Sequence, residues 1–212
     1  MMRLALAAMA VFWSVGLIGP DEPGAAKGGK YNEVLAIGAA APAWSDLEGV
    51  DGRRHALADL RNKAVVVVVF TCNSCPAAVD YEERLLEFCR QHAGPESQVA
   101  VVAICVNTVK DDLLPALKQK SEAKGFPFAY LHDPSQKIAK AYGADKTPEF
   151  FVLDRQRRVA YMGAFDDRDP PAAATKHFLV DAVTAVLAGR APEVTETNPR
   201  GCRIRWNDRR RP

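Results

Sequence analysis

The sequence predicts an α/β domain, a central sheet flanked by helices, and three observations carry that expectation. Val65–Val69 is an unbroken run of five valines between Ala64 and Phe70. It is too short for a membrane span and β-branched throughout, which suits a strand buried on both faces of a sheet. Helix-periodic stretches then alternate with apolar extended runs to Gly189. Finally, the valine strand runs directly into Cys72-Asn-Ser-Cys75, and Pro76 follows at the start of a charged, helix-periodic segment. Proline is favoured in the first helical turn, where its missing N–H leaves no bond unmade.

Both sulfurs are therefore expected at a helix N-terminus, with Cys72 the more exposed. Free N–H groups and the positive end of the helix dipole stabilise a thiolate there. Residues three apart on a helical turn lie roughly 5–6 Å apart, within reach of a disulfide. The arrangement predicts dithiol redox chemistry. A structural disulfide closing so small a loop would stabilise little. Zinc needs four ligands, and no second Cys-x-x-Cys or paired histidine follows. Cu(I), which two thiolates suit, is the more credible metal alternative.

The chain has 212 residues, a net charge of +2 and 48% hydrophobic residues, a globular balance that points to no polyanionic partner. The N-terminus differs. Arg3 precedes an apolar run, Leu4–Ile18, and then small and turn-forming residues to Ala26, the pattern of a secretory signal peptide over residues 1–26. An uncleaved N-terminal anchor is the alternative; with the signal removed, no stable membrane insertion is expected. An extracytoplasmic (periplasmic or secreted) location follows.

Residues 27–36 read as a linker, 37–189 as the domain and 190–212 as a C-terminal arm. Asp51-Gly52 predicts an N-terminal edge hairpin, with His55 on its surface. The helix Ala77–His92 turns Tyr81, Leu85, Phe88 and Cys89 to one side, so Cys89 reads as core. Val99–Val106 is a second buried strand containing Cys105, also read as structural. A helix over Asp111–Lys124 accommodates Pro115 only in its first turn. Phe126–Leu131 is an inserted extended piece, and Asp133 caps a helix Pro134–Tyr142 that Gly143 ends. Lys146-Thr-Pro148 leads into a strand through Asp154, and an X-Pro at a strand mouth tolerates a cis bond. Val159–Phe165 returns antiparallel, and the last helix spans about 172–188.

This order, with Phe70-Thr-Cys-Asn-Ser-Cys-Pro76, Tyr81-Glu-Glu83, Lys140-Ala-Tyr-Gly143 and Thr147-Pro-Glu-Phe-Phe-Val-Leu-Asp154, resembles the thioredoxin-like superfamily, specifically exported, peroxiredoxin-like redoxin-domain proteins. Gly201-Cys-Arg-Ile-Arg-Trp206 is similar to the ending of that group. The resemblance implies a thioredoxin-like fold in which Pro148 is cis and faces the cysteines, while Thr147 binds a substrate chain as an added strand. It implies thiol–disulfide exchange in which Cys72 attacks and Cys75 resolves, with protein disulfide or dithiol clients, an upstream redox partner, no cofactor and no nucleic acid. Thr71 replaces the tryptophan usual in thioredoxins. Their buried acid has no evident match, which leaves Glu149 either to tune the thiols or to lie exposed at a strand end. The turn Arg155–Arg158 lacks the glycine that relatives carry.

The peroxidase alternative would use Cys75, yet Cys72 occupies the position of a peroxiredoxin's Thr/Ser, and Val68 that of its proline. Cys202 has two readings: a third redox cysteine relaying the disulfide, or a packed thiol on a structural arm. Because the pair contains its own resolving cysteine, the chemistry requires no other, which favours the packed thiol. Ile204 and Trp206, alternating with arginines, predict an extended arm docked on the domain.

Overall fold

A computed structural model describes residues 28–94, 96–168 and 173–207; the expected signal peptide and the basic end, Arg209–Arg211, lie outside them. Its strands are β1 (Leu47–Gly49), β2 (Arg54–His55), β3 (Val65–Phe70), β4 (Val99–Cys105), β5 (Ala129–His132), β6 (Lys146–Thr147), β7 (Glu149–Leu153), β8 (Val159–Gly163) and β9 (Cys202–Arg203). Its helices are α1 (Pro76–Asp80), α2 (Glu82–His92), α3 (Leu114–Lys124), α4 (Lys137–Tyr142) and α5 (Phe178–Leu187). Among the described residues no helix is long and apolar enough to cross a membrane.

Seven strands form one mixed sheet in the order β2-β1-β5-β4-β3-β7-β8. The valine strand lies within it, parallel to β4 on one side and antiparallel to β7 on the other. All six β3 side chains are fully buried. Their period of two divides them: Val65, Val67 and Val69 pack with Tyr81, Leu85, Phe88, Leu179 and Val183, whereas Val66, Val68 and Phe70 pack with Trp44, Leu57, Tyr142 and Ile204. Each such side chain contributes about 1.5–3 kcal/mol. Helices therefore cover both faces, and β3 ends where the cysteines begin. The expected hairpin forms the β1–β2 edge.

Several boundaries move for local reasons. Tyr81 interrupts the expected single helix, separating α1 from α2. A 3-10 turn at Lys110–Asp112 precedes α3, which puts Pro115 in the first turn. The helix expected from Pro134 starts at Lys137, because Gln136 adopts φ 60°. Asp133 still caps this turn, accepting from the N–H groups of Ser135 and Ile138. The last helix starts at Phe178, later than expected. In the glycine-free turn, Arg157 takes the left-handed conformation at φ 59°, and its guanidinium donates to the carbonyls of Asp154, Leu60 and Lys63.

Candidate functional site

The site lies where β3 ends. Thr71 N–H still donates to Ile104 O at 3.1 Å, extending the parallel register one residue past the strand. The chain then turns through Cys72, Asn73 and Ser74, and Cys75 becomes the N-cap of α1 with Pro76 next. Both residues between the cysteines are anchored. Asn73 Nδ2 donates to Ala116 O at 3.2 Å, and Asn73 Oδ1 accepts from Tyr130 OH at 3.2 Å. Ser74 donates its N–H and its hydroxyl to Asp112, which also accepts from Asn107 Nδ2. Asp112 is fully buried. It is the acid near the pair that sequence reasoning missed, because Lys110-Asp-Asp112 reads as the solvated start of a helix.

Opposite stands the Thr147–Pro148 peptide, which is cis as expected. Thr147 faces both sulfurs: its Oγ1 is 3.4 Å from Cys72 Sγ, and its carbonyl oxygen is 3.0 Å from Cys75 Sγ. Glu149 is buried, which removes the exposed-carboxylate reading. Its Oε2 accepts from the N–H groups of Asp145 and Lys146 at 2.9 and 3.1 Å, fixing the approach to Thr147. Burial raises its pKa to about 7 against those two bonds. Its hydrogen bonds serve this loop.

The expectation about the thiols needs correction. Cys72 is no more exposed than Cys75; each retains 2% of its surface. The helix begins after the second cysteine, so its free N–H groups serve Cys75, which accepts from Ala78 N at 3.4 Å. Hydrogen bonding from Cys72 lowers the Cys75 pKa to about 4, with help from Cys202, the Ala78 N–H and Thr147 and against burial. The Cys72 thiol is raised, first by its hydrogen bond to Cys75, then by burial and the negative charge of Asp112. As a thiol, Cys75 donates to the Thr147 carbonyl; as a thiolate it would accept from the Ala78 N–H and from Cys72, which favours charge on Cys75 over Cys72. Cys89 and Cys105 are buried with raised pKa values, consistent with core roles.

The arm docks on this site. Thr147 of β6 pairs antiparallel with Cys202 of β9, and Lys146 with Arg203. Ile204 is buried, and its N–H donates to Asp145 O at 2.8 Å. Arg205 N–H donates to Asn107 Oδ1, and Gln136 Nε2 to Arg205 O. Asn107 thus joins the arm to Asp112. Neither it nor Gln136 was singled out from the sequence, because lone buried amides carry no periodic signal.

The family model for AhpC/TSA matches residues 37–162, well over half of the chain. The chain belongs to the AhpC/TSA family. Within this wider likeness, a hypothetical protein of Sinorhizobium meliloti 1021 is 36% identical, with a TM-score of 0.76 over 83% of this chain and 97% of that one. The thiol-disulfide oxidoreductase ResA of Geobacillus thermodenitrificans is 27% identical over 129 residues, 59% of this chain and 67% of that protein. A putative thioredoxin from Neisseria meningitidis, at 20% identity and a TM-score of 0.56 over 70% of this chain and 89% of that one, shares the fold. This AhpC/TSA domain thus has the expected thioredoxin-like fold, a mixed sheet between helices.

Proposed function

We propose that this protein is an exported thiol–disulfide oxidoreductase that exchanges disulfides with protein clients through Cys72 and Cys75. The observation that carries this reading is the convergence of both sulfurs on Thr147, beside a helix N-cap that favours a thiolate. The likeness to ResA supports the same reaction class. The order of attack reverses the one expected from sequence. Cys75 thiolate attacks a client disulfide, one client sulfur leaves as thiolate, and a mixed disulfide forms. Cys72 then gives up its proton and attacks Cys75 Sγ; the Cys72–Cys75 bond forms and the second client sulfur leaves, protonated. A client's chain would add to the Thr147 edge as a strand by displacing the Cys202 arm that occupies it. Clients and an upstream dithiol partner are proteins, and the signal-like residues 1–26 direct the domain out of the cytoplasm.

Insulin reduction, combined with alkylation mass spectrometry across a glutathione titration, tests this. The expected result is a reversible Cys72–Cys75 disulfide and activity lost in either serine variant; a pair that never oxidises overturns it. One observation favours a second reading: the stabilised Cys75 thiolate stands where a peroxidase would carry its reactive sulfur. Cys72 in place of a hydroxyl residue argues against it, and hydrogen peroxide consumption by the reduced, unaltered protein distinguishes the two.

A further inference from the structure

The Thr147 edge that a client strand would use is already paired, and its occupant is a cysteine-bearing segment of the same chain. Glycine is required for this approach. At Gly201, φ is 153°, and a Cβ there would sit 2.0 Å from Thr147 O. Downstream, the backbone bonds of Ile204 and Arg205 and the bond from Asn207 N to Gln136 Oε1 fix the arm on the other side of Cys202. Cys202 is thereby held against the site: it pairs with Thr147, whose carbonyl oxygen lies 3.0 Å from Cys75 Sγ. Exposure divides the three sulfurs. Cys72 and Cys75 are buried, while Cys202 is exposed. A protein dithiol approaching from solvent meets Cys202 first.

We propose that Cys202 is a third redox-active cysteine of this site, an intramolecular occupant of the client edge that exchanges disulfides with Cys75 and presents them to solvent. This rests on the reading of Cys72–Cys75 as the redox pair. Starting from their disulfide, Cys202 loses its proton and its thiolate attacks Cys75 Sγ. The Cys75–Cys202 bond forms, the Cys72–Cys75 bond breaks, and Cys72 leaves as a thiolate that takes up a proton. No net oxidation occurs. A protein dithiol then attacks Cys202, releasing Cys75 as the stabilised thiolate. Its second thiol closes the dithiol's own disulfide and expels Cys202, so the dithiol is oxidised by two electrons and the protein reduced by two. This reverses the sequence-based preference for Cys202 as a packed thiol, because the sequence could not show that its partner is Thr147.

The test uses the full-length Cys72→Ser protein, reduced and then given one equivalent of oxidised glutathione, with acid quench, alkylation and disulfide mapping. Cys75 takes up one glutathione, releasing the other; Cys202 then displaces it. The expected result is an intramolecular Cys75–Cys202 disulfide and two glutathione thiols released, with the second release at least about ten-fold faster than in Cys72→Ser/Cys202→Ser, since the two thiols are held together. A persistent Cys75–glutathione adduct, or a dimer linked between chains, overturns the proposal. Adding Gly201→Val to Cys72→Ser keeps all sulfurs but expels the arm from register, and should slow closure about ten-fold or more. An unchanged rate overturns the proposal. The Cys202→Ser protein separates the two readings. If its Cys72–Cys75 pair fails to oxidise, the proposed function falls, whereas the Cys75–Cys202 result is scored independently in the Cys72→Ser background.

Discussion

Asp112 accepts both the N–H of Ser74 at 2.9 Å and its hydroxyl at 2.6 Å, so a buried carboxylate fixes the turn between the two cysteines. A third bond, from Asn107 Nδ2 at 3.0 Å, completes its partners. Truncating it orphans several buried donors, and each costs about 1–3 kcal/mol when left unsatisfied. Asp112→Ala is therefore expected to lower stability by roughly 2–4 kcal/mol, read in urea unfolding. Asp112→Asn keeps the shape and removes the charge. Because that charge adds to the hydrogen bond and burial that raise Cys72, the amide should lower the Cys72 pKa. An unchanged Cys72 titration in Cys75→Ser/Asp112→Asn, compared with Cys75→Ser, would remove Asp112 from the electrostatics of the pair.

The thiolate should titrate on Cys75. With its pKa lowered to about 4, mainly by the hydrogen bond from Cys72, the reduced protein should keep thiolate absorbance at 240 nm in mildly acid buffer. Absorbance requires no reagent to enter the buried site. Cys75→Ser should abolish the signal near neutral pH, whereas Cys72→Ala should shift its midpoint upward by removing a donor. The sign for stability follows: a pKa lower in the folded state than the unfolded value contributes stability present above about 9, lost as pH falls toward about 4. Loss of the signal in Cys72→Ser and its survival in Cys75→Ser would restore Cys72 as the attacking sulfur.

Glu149 predicts the opposite slope. Its folded pKa of about 7 exceeds the ordinary 4.5, so the folded state binds more protons between those values. Its contribution falls as pH rises from about 4.5 through 7 and is constant above. Glu149→Gln retains an oxygen for the Asp145 and Lys146 N–H groups and removes the ionisation. Thermal unfolding across that window should show a flatter stability profile in the variant. Parallel profiles for the two proteins would show that Glu149 does not titrate within the fold.

The legible parts of this molecule were those written in local pattern. Val65–Phe70 announces its strand through composition, and Cys75-Pro76 announces the helix start. Thr147-Pro148 came forward through a short motif. What stayed hidden depends on contacts between distant segments. Asp112 reaches Ser74 across 38 positions, and Gln136 reaches Arg205 across 69. Exposure misled in one place: Cys72 reads as the open end of the pair, yet it is as buried as Cys75, and nothing near it encodes that an arm 130 residues downstream (202 minus 72) pairs with the Thr147 beside it.

The arm's hold on the site depends on a buried anchor, Ile204, beside a half-buried Trp206 that packs on the same cluster. Ile204 is 4% exposed and packs with Val66, Val68 and Phe70's side of the sheet. The residues around it, Arg203 and Arg205, are exposed. Truncating a buried isoleucine to alanine costs about 2–5 kcal/mol. Because β9 makes only a two-residue ladder with β6, that cost should fall on undocking of the arm before it falls on global unfolding. Ile204→Ala should therefore raise trypsin cleavage at Arg203 and Arg205 by about 30-fold or more, since roughly 2 kcal/mol in the docking equilibrium corresponds to that factor where reclosing is fast. The midpoint for loss of the main sheet should move much less. Deleting residues 201–212 removes the same anchor and exposes the paired edge of Thr147, so it should lower the melting temperature as well. Cleavage that stays at the rate of the unaltered protein would show that the backbone bonds of Ile204 and Arg205 hold the arm without the buried side chain.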